Sequence, residues 1–332
     1  MKRIAALLLL FATLAGCGAQ NESETRTVFA MDTVMTLTAY GAPSATGSAL
    51  DAAEAELSRL DRLLSVTDSG SEISAVNRSG SAAVSEETGA LIASALEASR
   101  LTAGAYDPTL GRISEAWGFH ADTQHVPDPG LLADLLSACG YERVALDGAS
   151  VEIGDGMALD LGGIAKGYAA ERVLSVMGDA GVDSAVISLG GNVGTLGQKP
   201  GGPWRVAIED PDRGDEYAGI LALPGGMYAI TSGAYERFFE EDGRIYHHIL
   251  DPKTGFPAES DLQSVTIVSS DGTLADALST ALFVMGFDAA VEFWSNHSDL
   301  FQMVLITADG MYVTPELEIE SGRDVTVLEA AP

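Results

Sequence analysis

The chain has 332 residues, 46 % of them hydrophobic, and a formal net charge of −30. So acidic a chain has no basic face to lay along a phosphate backbone, which argues against nucleic acid as a partner. If its substrate is nonetheless a phosphate, a bound metal and a few placed cations must overcome a repulsive background.

At the N-terminus, Lys2 and Arg3 precede an apolar run over 5–14 broken only by Thr13. That run is short of the ~20 residues that cross a bilayer. Leu14-Ala15-Gly16-Cys17 follows, small residues before a cysteine, as a lipoprotein signal peptidase accepts. An ordinary secretory signal with an incidental cysteine is the plainer reading. The order of charge, apolar run and cysteine within 17 residues favours the lipoprotein. The expected organisation is a signal peptide over 1–16, a polar tether over 17–27 that begins at lipid-bearing Cys17, and a functional domain over 28–332. The domain would sit on the extracytoplasmic face of the cell membrane. A chain of about 316 residues can build one large domain or two close lobes around a sizeable core. Cys139 is the other cysteine, so no intramolecular disulfide is available. It ends the apolar run LLADLLSAC and reads as buried filler rather than a nucleophile.

Alternation over 33–40 reads as a strand. Helical spacing of Ala and Leu covers 48–64, and Ser85 can cap a second helix to about 102, before Gly104. A third helix spans 128–139, followed by short strand-like runs at 143–146 and 151–153. Asp160-Leu161-Gly162-Gly163 leads into a helix from about 164 to 177. Strands are expected at 185–189, 204–208, 220–223, 228–231, 264–269 and 301–306, with a helix over 274–285. Runs of strands with helices between them, lacking regular βαβ alternation, predict an α+β fold.

Four segments could carry chemistry. In Asp160 to Tyr168 (DLGGIAKGY), two glycines at a helix start let backbone approach a ligand, and Lys166 could reach an anion held there. The plainer reading is a tight turn capped by Asp160. On a helix, Asp276 and Thr280 share one face. A carboxylate beside a hydroxyl suits a hard cation such as magnesium. The plainer reading is a helix cap at Asp276 with a back-bonded Thr280. Around Tyr246-His247-His248-Ile249-Leu250-Asp251-Pro252, alternation puts the two histidines on opposite faces, so one at most is functional, as a base or an electrostatic partner. Ala105-Tyr106-Asp107 could stack on a ring and bond its edge, and Met31 could pack on a flat ligand, although core packing is the commoner role for both. There is no nucleophile elbow, HExxH, Walker A loop or CxxC.

Taken in order, the pieces converge. Met31-Asp32-Thr33, Ser71-Glu72-Ile73-Ser74 with Asn77, Ala105-Tyr106-Asp107-Pro108, Asp160 to Tyr168, Leu189-Gly190-Gly191-Asn192, Thr231-Ser232-Gly233, His248 to Gly255 and Ala275 to Thr280 stand in sequence behind a lipobox. The chain thus resembles the ApbE family of FAD:protein FMN transferases over about 28–310. The resemblance implies a two-lobed α+β fold with FAD in the cleft between lobes. It implies magnesium-assisted transfer of FMN from FAD to a threonine hydroxyl of an acceptor protein, such as a flavin-carrying redox subunit, with release of AMP. By position, Met31, Ala105, Tyr106, Asp107, Asp160, Lys166 and Ile249 match FAD contacts. The Gly163 carbonyl, Asp276 and Thr280 match metal ligands, and His248 the catalytic histidine. One departure stands out: where the family often carries an aromatic in a Ser-x-Tyr context, Ser65-Val66-Thr67 has a threonine. That bears on affinity rather than reaction type. Two other readings keep parts of this site: an FAD pyrophosphatase, in which water is the acceptor, and a flavin-binding lipoprotein without chemistry.

Overall fold

The computed structural model describes residues 22–329, apart from 122 and 215. Cys17 and the signal segment lie outside the described residues. The chain opens with strands β1 (Ser23–Ala30) and β2 (Thr33–Tyr40), paired in register from Ser23↔Tyr40 to Ala30↔Thr33. The tether expected through residue 27 is therefore corrected: 23–27 is strand. Its residues are too polar to read as one, but pairing with β2 satisfies their backbone. Arg26 also binds Asp51 at 2.6 Å and Glu54 at 3.2 Å. The connecting Met31 and Asp32 both have positive φ, 49° and 58°. Two left-handed residues are what a two-residue hairpin needs to match strand twist, and glycine or asparagine usually supplies them.

Helix α1 (Pro43–Leu64) starts earlier than its periodicity suggests, with Pro43 preset for the first turn. Helix α2 (Glu72–Ser79) is capped by Ser71, whose Oγ accepts from Ser74 N at 2.9 Å. Strand β3 (Ser81–Ala83) precedes α3 (Glu86–Leu101), which Ser85 caps as expected. Helices α4 (Gly111–Trp117) and α5 (Pro129–Ala138) follow, then the β4 (Ala145–Asp147) and β5 (Ser150–Glu152) hairpin. Helix α6 (Gly162–Asp179) leads to β6 (Ser184–Leu189) and β7 (Asn192–Leu196), joined at Gly190-Gly191. Next come β8 (Trp204–Glu209), β9 (Tyr217–Leu223), β10 (Tyr228–Gly233), and a hairpin of β11 (Phe238–Glu241) and β12 (Arg244–His247). The chain ends with β13 (Leu262–Ser269), α7 (Gly272–Met285), α8 (Phe287–Asn296), β14 (Gln302–Thr307), β15 (Met311–Val313), β16 (Glu318–Glu320) and β17 (Val325–Val327).

One sheet dominates, in the order β1-β2-β6-β7-β10-β13-β14-β15-β17, antiparallel except for the last pair. The fold is α+β, as expected. Leu37, Ile187, Ile230 and Ile267 on one face of the sheet join Leu50 and Leu57 of α1, Val173 of α6 and Leu278 of α7 in a single core. Each such side chain contributes roughly 1.5–3 kcal/mol by leaving water. The smaller β16-β9-β8 sheet belongs to a second core with Ala229, Val268 and Val304, and Tyr40 packs edge-on to Trp204 at 5.7 Å. Across the helical layer Arg59 binds Glu56 and Glu87, Arg172 reaches Glu56, and Tyr168 donates to Glu87 at 2.7 Å, tying α1, α3 and α6 together. Helices α6 and α7 touch backbone to backbone. A Cβ on Gly167 would stand 2.1 Å from the Gly272 carbonyl oxygen and 2.7 Å from Asp276 Cβ. Only glycine permits this approach, and it sets the site.

Candidate active site

A cavity of about 630 Å³ opens between the β1–β2 turn, the start of α6, the end of β10 and the segment after β12. That is ample for a cofactor-sized ligand. All the residues matched by position, Met31, Ala105, Tyr106, Asp107, Asp160, Gly163, Lys166, His248, Ile249, Asp276 and Thr280, line it.

The glycine turn and the acidic helix meet at its floor. Asp276 is 4 % exposed, and its Oδ2 accepts from Gly167 N at 2.8 Å. It is not a helix cap, because Asp271 caps α7 by accepting from Leu274 N at 2.7 Å. Burial raises the Asp276 carboxyl above its usual range, against the pull of nearby Lys166 and the Gly167 N–H. A buried carboxylate short of positive charge is a natural cation ligand. Thr280 Oγ1 lies 3.4 Å from Ser232 Oγ, and a Cβ on Gly163 would come within 3.5 Å of Thr280 Oγ1 and 3.0 Å of the Tyr106 ring. It is Ser279, not Thr280, that bonds back to the Asp276 carbonyl, at 2.8 Å. One carboxylate, a hydroxyl and a backbone carbonyl are hard oxygen donors that suit magnesium, which keeps several ligand positions for water or phosphate. Among the described residues no three His, Cys, Asp or Glu side chains gather to hold a metal.

Lys166 lies in the second turn of α6, because that helix begins at Gly162 rather than 164. Its Nζ reaches Gly190 O at 3.4 Å. His247 and His248 do point opposite ways. His247 Nε2 lies 3.2 Å from the Ala258 carbonyl and its ring packs edge-on to Phe283, while His248 lines the cavity. Its Nδ1 is 3.2 Å from the Arg237 carbonyl. A carbonyl only accepts, so Nδ1 carries the proton and Nε2 keeps a lone pair. Burial, with Lys166 and Arg237 nearby, pushes the His248 pKa down to about 3, so the ring is neutral at pH 7.

Asp160 holds the turn, as its plainer reading has it, and also meets a residue the motifs do not mark. Oδ1 accepts from Gly162 N at 2.9 Å, holding the turn. Oδ2 lies 2.7 Å from His120 Nε2. Burial would raise this carboxyl, but the His120 hydrogen bond and the Gly162 N–H outweigh burial and hold it below its usual range. Asp107 serves its own loop first: Oδ1 accepts from Thr109 N and Oγ1, and Oδ2 from Tyr141 N at 3.1 Å. Tyr106 is 4 % exposed with no hydrogen-bond partner for its hydroxyl. It packs against the core and forms cavity wall at once. Ser65, Val66 and Thr67 also line the wall, so the departure from the aromatic pattern falls at the site itself. Cys139 is half-buried rather than buried, and burial raises its thiol to about 11.

Sequence reasoning passed over Ser114, His120, Glu236 and Arg237, all of which line the cavity. Burial lifts Glu236 to about 7, beside Lys166 and Asp276. Arg237 stands at 3.9 Å from Asp32. The signal for the last pair was their place directly after Thr231-Ser232-Gly233, at the end of β10. An aromatic cluster packs beside the His120 loop. Trp117 stacks on Phe119 at 6.0 Å, contacts Tyr246 at 5.4 Å and Phe256 at 5.6 Å, and its indole N–H donates to Gly255 O at 2.8 Å. The loop bearing His120 is thereby locked to the hairpin that leads to His248.

Residues 31–305 match the model of the ApbE family. The chain is 35 % identical over 311 residues to the FAD:protein FMN transferase of Treponema pallidum, covering 86 % of each chain. It is 33 % identical over 276 residues to one from Klebsiella pneumoniae, covering 79 % of this chain and 81 % of that one. The solved ApbE protein of Thermotoga maritima superposes with a TM-score of 0.81 at 34 % identity, covering 90 % of this chain and 97 % of that one. The apo flavinyl transferase ApbE of Pseudomonas stutzeri gives 0.77 at 29 % identity, covering 90 % and 94 %. By the match over 31–305 and the identity to these transferases, the chain belongs to the ApbE family.

Proposed function

We propose that this chain transfers the FMN half of FAD to a threonine hydroxyl of an acceptor protein, forming a phosphoester and releasing AMP. The observation that carries the reading is the convergence of Gly163, Asp276 and Thr280 with Lys166 and His248 on one cavity. Magnesium, held by the Gly163 carbonyl, Asp276 and Thr280, would supply Lewis acidity at the pyrophosphate and offset charge on the leaving AMP. Lys166 provides a point charge for the phosphate oxygens. Met31, Ala105, Tyr106 and Ile249 offer apolar wall to the ring systems, and Asp107 and Asp160 offer polar edges. The threonine oxygen attacks the FMN phosphorus, the bond to the AMP oxygen breaks, and the hydroxyl proton passes to His248 Nε2. With Nδ1 donating to the Arg237 carbonyl, the neutral ring keeps its Nε2 lone pair free for that proton. We further propose that the chain is held at the extracytoplasmic face of the membrane through lipidated Cys17.

The test is incubation of the full chain with FAD, magnesium and a threonine-bearing acceptor, with mass spectrometry of the acceptor and assay of AMP. Added FMN mass on threonine together with AMP is the expected result. AMP without a flavinylated product would make the protein an FAD pyrophosphatase. Bound FAD without AMP would leave a flavin-binding lipoprotein. Asp276→Ala is expected to abolish AMP release while FAD still binds, and persistent turnover in that variant would remove the metal site.

A further inference from the structure

His120 sits on the loop after α4, on the cavity wall, where no motif points to it. Its Nε2 is 2.7 Å from Asp160 Oδ2 and 3.0 Å from Ser114 Oγ. A carboxylate can only accept, so Nε2 carries the hydrogen, and the Ser114 hydroxyl shares that donor. Both contacts fall on the same ring nitrogen. No relay through the imidazole to Ser114 is possible, and this Ser-His-Asp set is not a nucleophilic triad. What the arrangement does is mechanical. With Gly162 N on one oxygen and His120 on the other, the Asp160 carboxylate is gripped from both ends on the cavity wall. The side chains of both partners are largely covered, 22 % and 17 % exposed. Stacking of Phe119 on Trp117 fixes the loop that presents the ring.

We propose that His120 is a positioning residue for the dinucleotide: by clamping Asp160 it sets how tightly FAD is held, not how fast FMN is transferred. This rests on the reading above, in which Asp160 contacts FAD. Besides Asp160, the charged groups that face His120 are Arg237, which opposes its protonation, and Asp32, which favours it. Burial also opposes the imidazolium, but Asp160 outweighs both, and the pKa of His120 lies above its usual value. The grip therefore weakens as pH rises through that raised pKa.

The experiment uses the full chain. In His120→Ala the KM and Kd for FAD should rise about tenfold while kcat at saturating FAD stays within about twofold. His120→Gln, with an amide N–H that can reach Asp160, should recover most of the loss. In the ligand-free protein, ¹⁵N resonances of His120 should show an imidazolium persisting above the usual histidine range, lost in Asp160→Asn. A kcat loss at unchanged KM, or wild-type affinity in His120→Ala, overturns the proposal. If His120→Ala does not fold, the Gln variant and the ¹⁵N titration decide: an ordinary His120 titration that Asp160→Asn leaves unmoved overturns it. Failure of the functional reading looks different, because it shows in the wild type itself, as an acceptor that gains no FMN mass whether or not FAD binds or AMP appears.

Discussion

At His248 one ring illustrates how environment assigns a role. The Arg237 carbonyl fixes its tautomer, and burial with two nearby cations keeps it uncharged. Replacing it with alanine should slow transfer by about 10² to 10⁴-fold, with little change in FAD affinity, as single-turnover kinetics and flavin fluorescence would show. The same ring carries a stability consequence. Its folded pKa, about 3, lies below the unfolded value of about 6.5, so between these limits the unfolded chain binds the extra proton. The stability contribution is whole above about pH 6.5 and is lost as pH falls toward 3. His248→Gln should therefore gain melting temperature over the wild type at pH 4.5 but not at pH 8, and equal shifts at both would refute the assignment. Residues inside contiguous motifs, such as Lys166, Asp276 and His248, were legible because their neighbours in sequence gave them away. His120 was not, since its meaning lies in Asp160, 40 residues on, and only packing around Trp117 brings the two together.

Among the elements, the contact of α6 with α7 decides whether a site exists at all. Gly167→Ala would drive a methyl into the Gly272 carbonyl and the Asp276 side chain. Because backbone stands in the way, the helices must separate. The expected cost is at least the ~1–3 kcal/mol of ordinary overpacking, with AMP release lost alongside. Denaturant melts with activity assays check this, and a stable, active Gly167→Ala would show that the close approach is dispensable. Long helices were legible, because Ala and Leu at helical spacing and the Ser85 cap carry their own signal. Helices α2, α4 and α8 and the strands β3, β15, β16 and β17 were not, whereas β4 and β5 showed as short strand-like runs. Strand β1 was missed for a different reason: most of its side chains face water, and only its partner makes it a strand.

Taken whole, the molecule is an acidic body around a cavity whose walls include Asp32, Asp61, Asp107, Asp160, Glu209, Glu236 and Asp276, against Lys166 and Arg237. A pyrophosphate entering such a site needs further positive charge. Chelation should therefore abolish AMP release and restoration of magnesium should return it, and activity that survives in chelator would sink the proposed chemistry. The α+β class followed from runs of strands with helices between them, and the matched cavity residues from ordered motifs. The start of β1 at Ser23 did not.

That start has a mechanical consequence. With β1 starting at Ser23, the anchor proposed at Cys17 would stand five residues, 18–22, ahead of the sheet. Fully stretched they reach about 18 Å. An eight-residue strand adds roughly 26 Å before the hairpin tip at Met31 and Asp32, where the cavity opens. Under the proposed anchoring, the reacting centre would lie within about 45 Å of the lipid surface. An acceptor tethered to the same bilayer would then be met by lateral diffusion at high local concentration, an advantage that a freely diffusing one would lack.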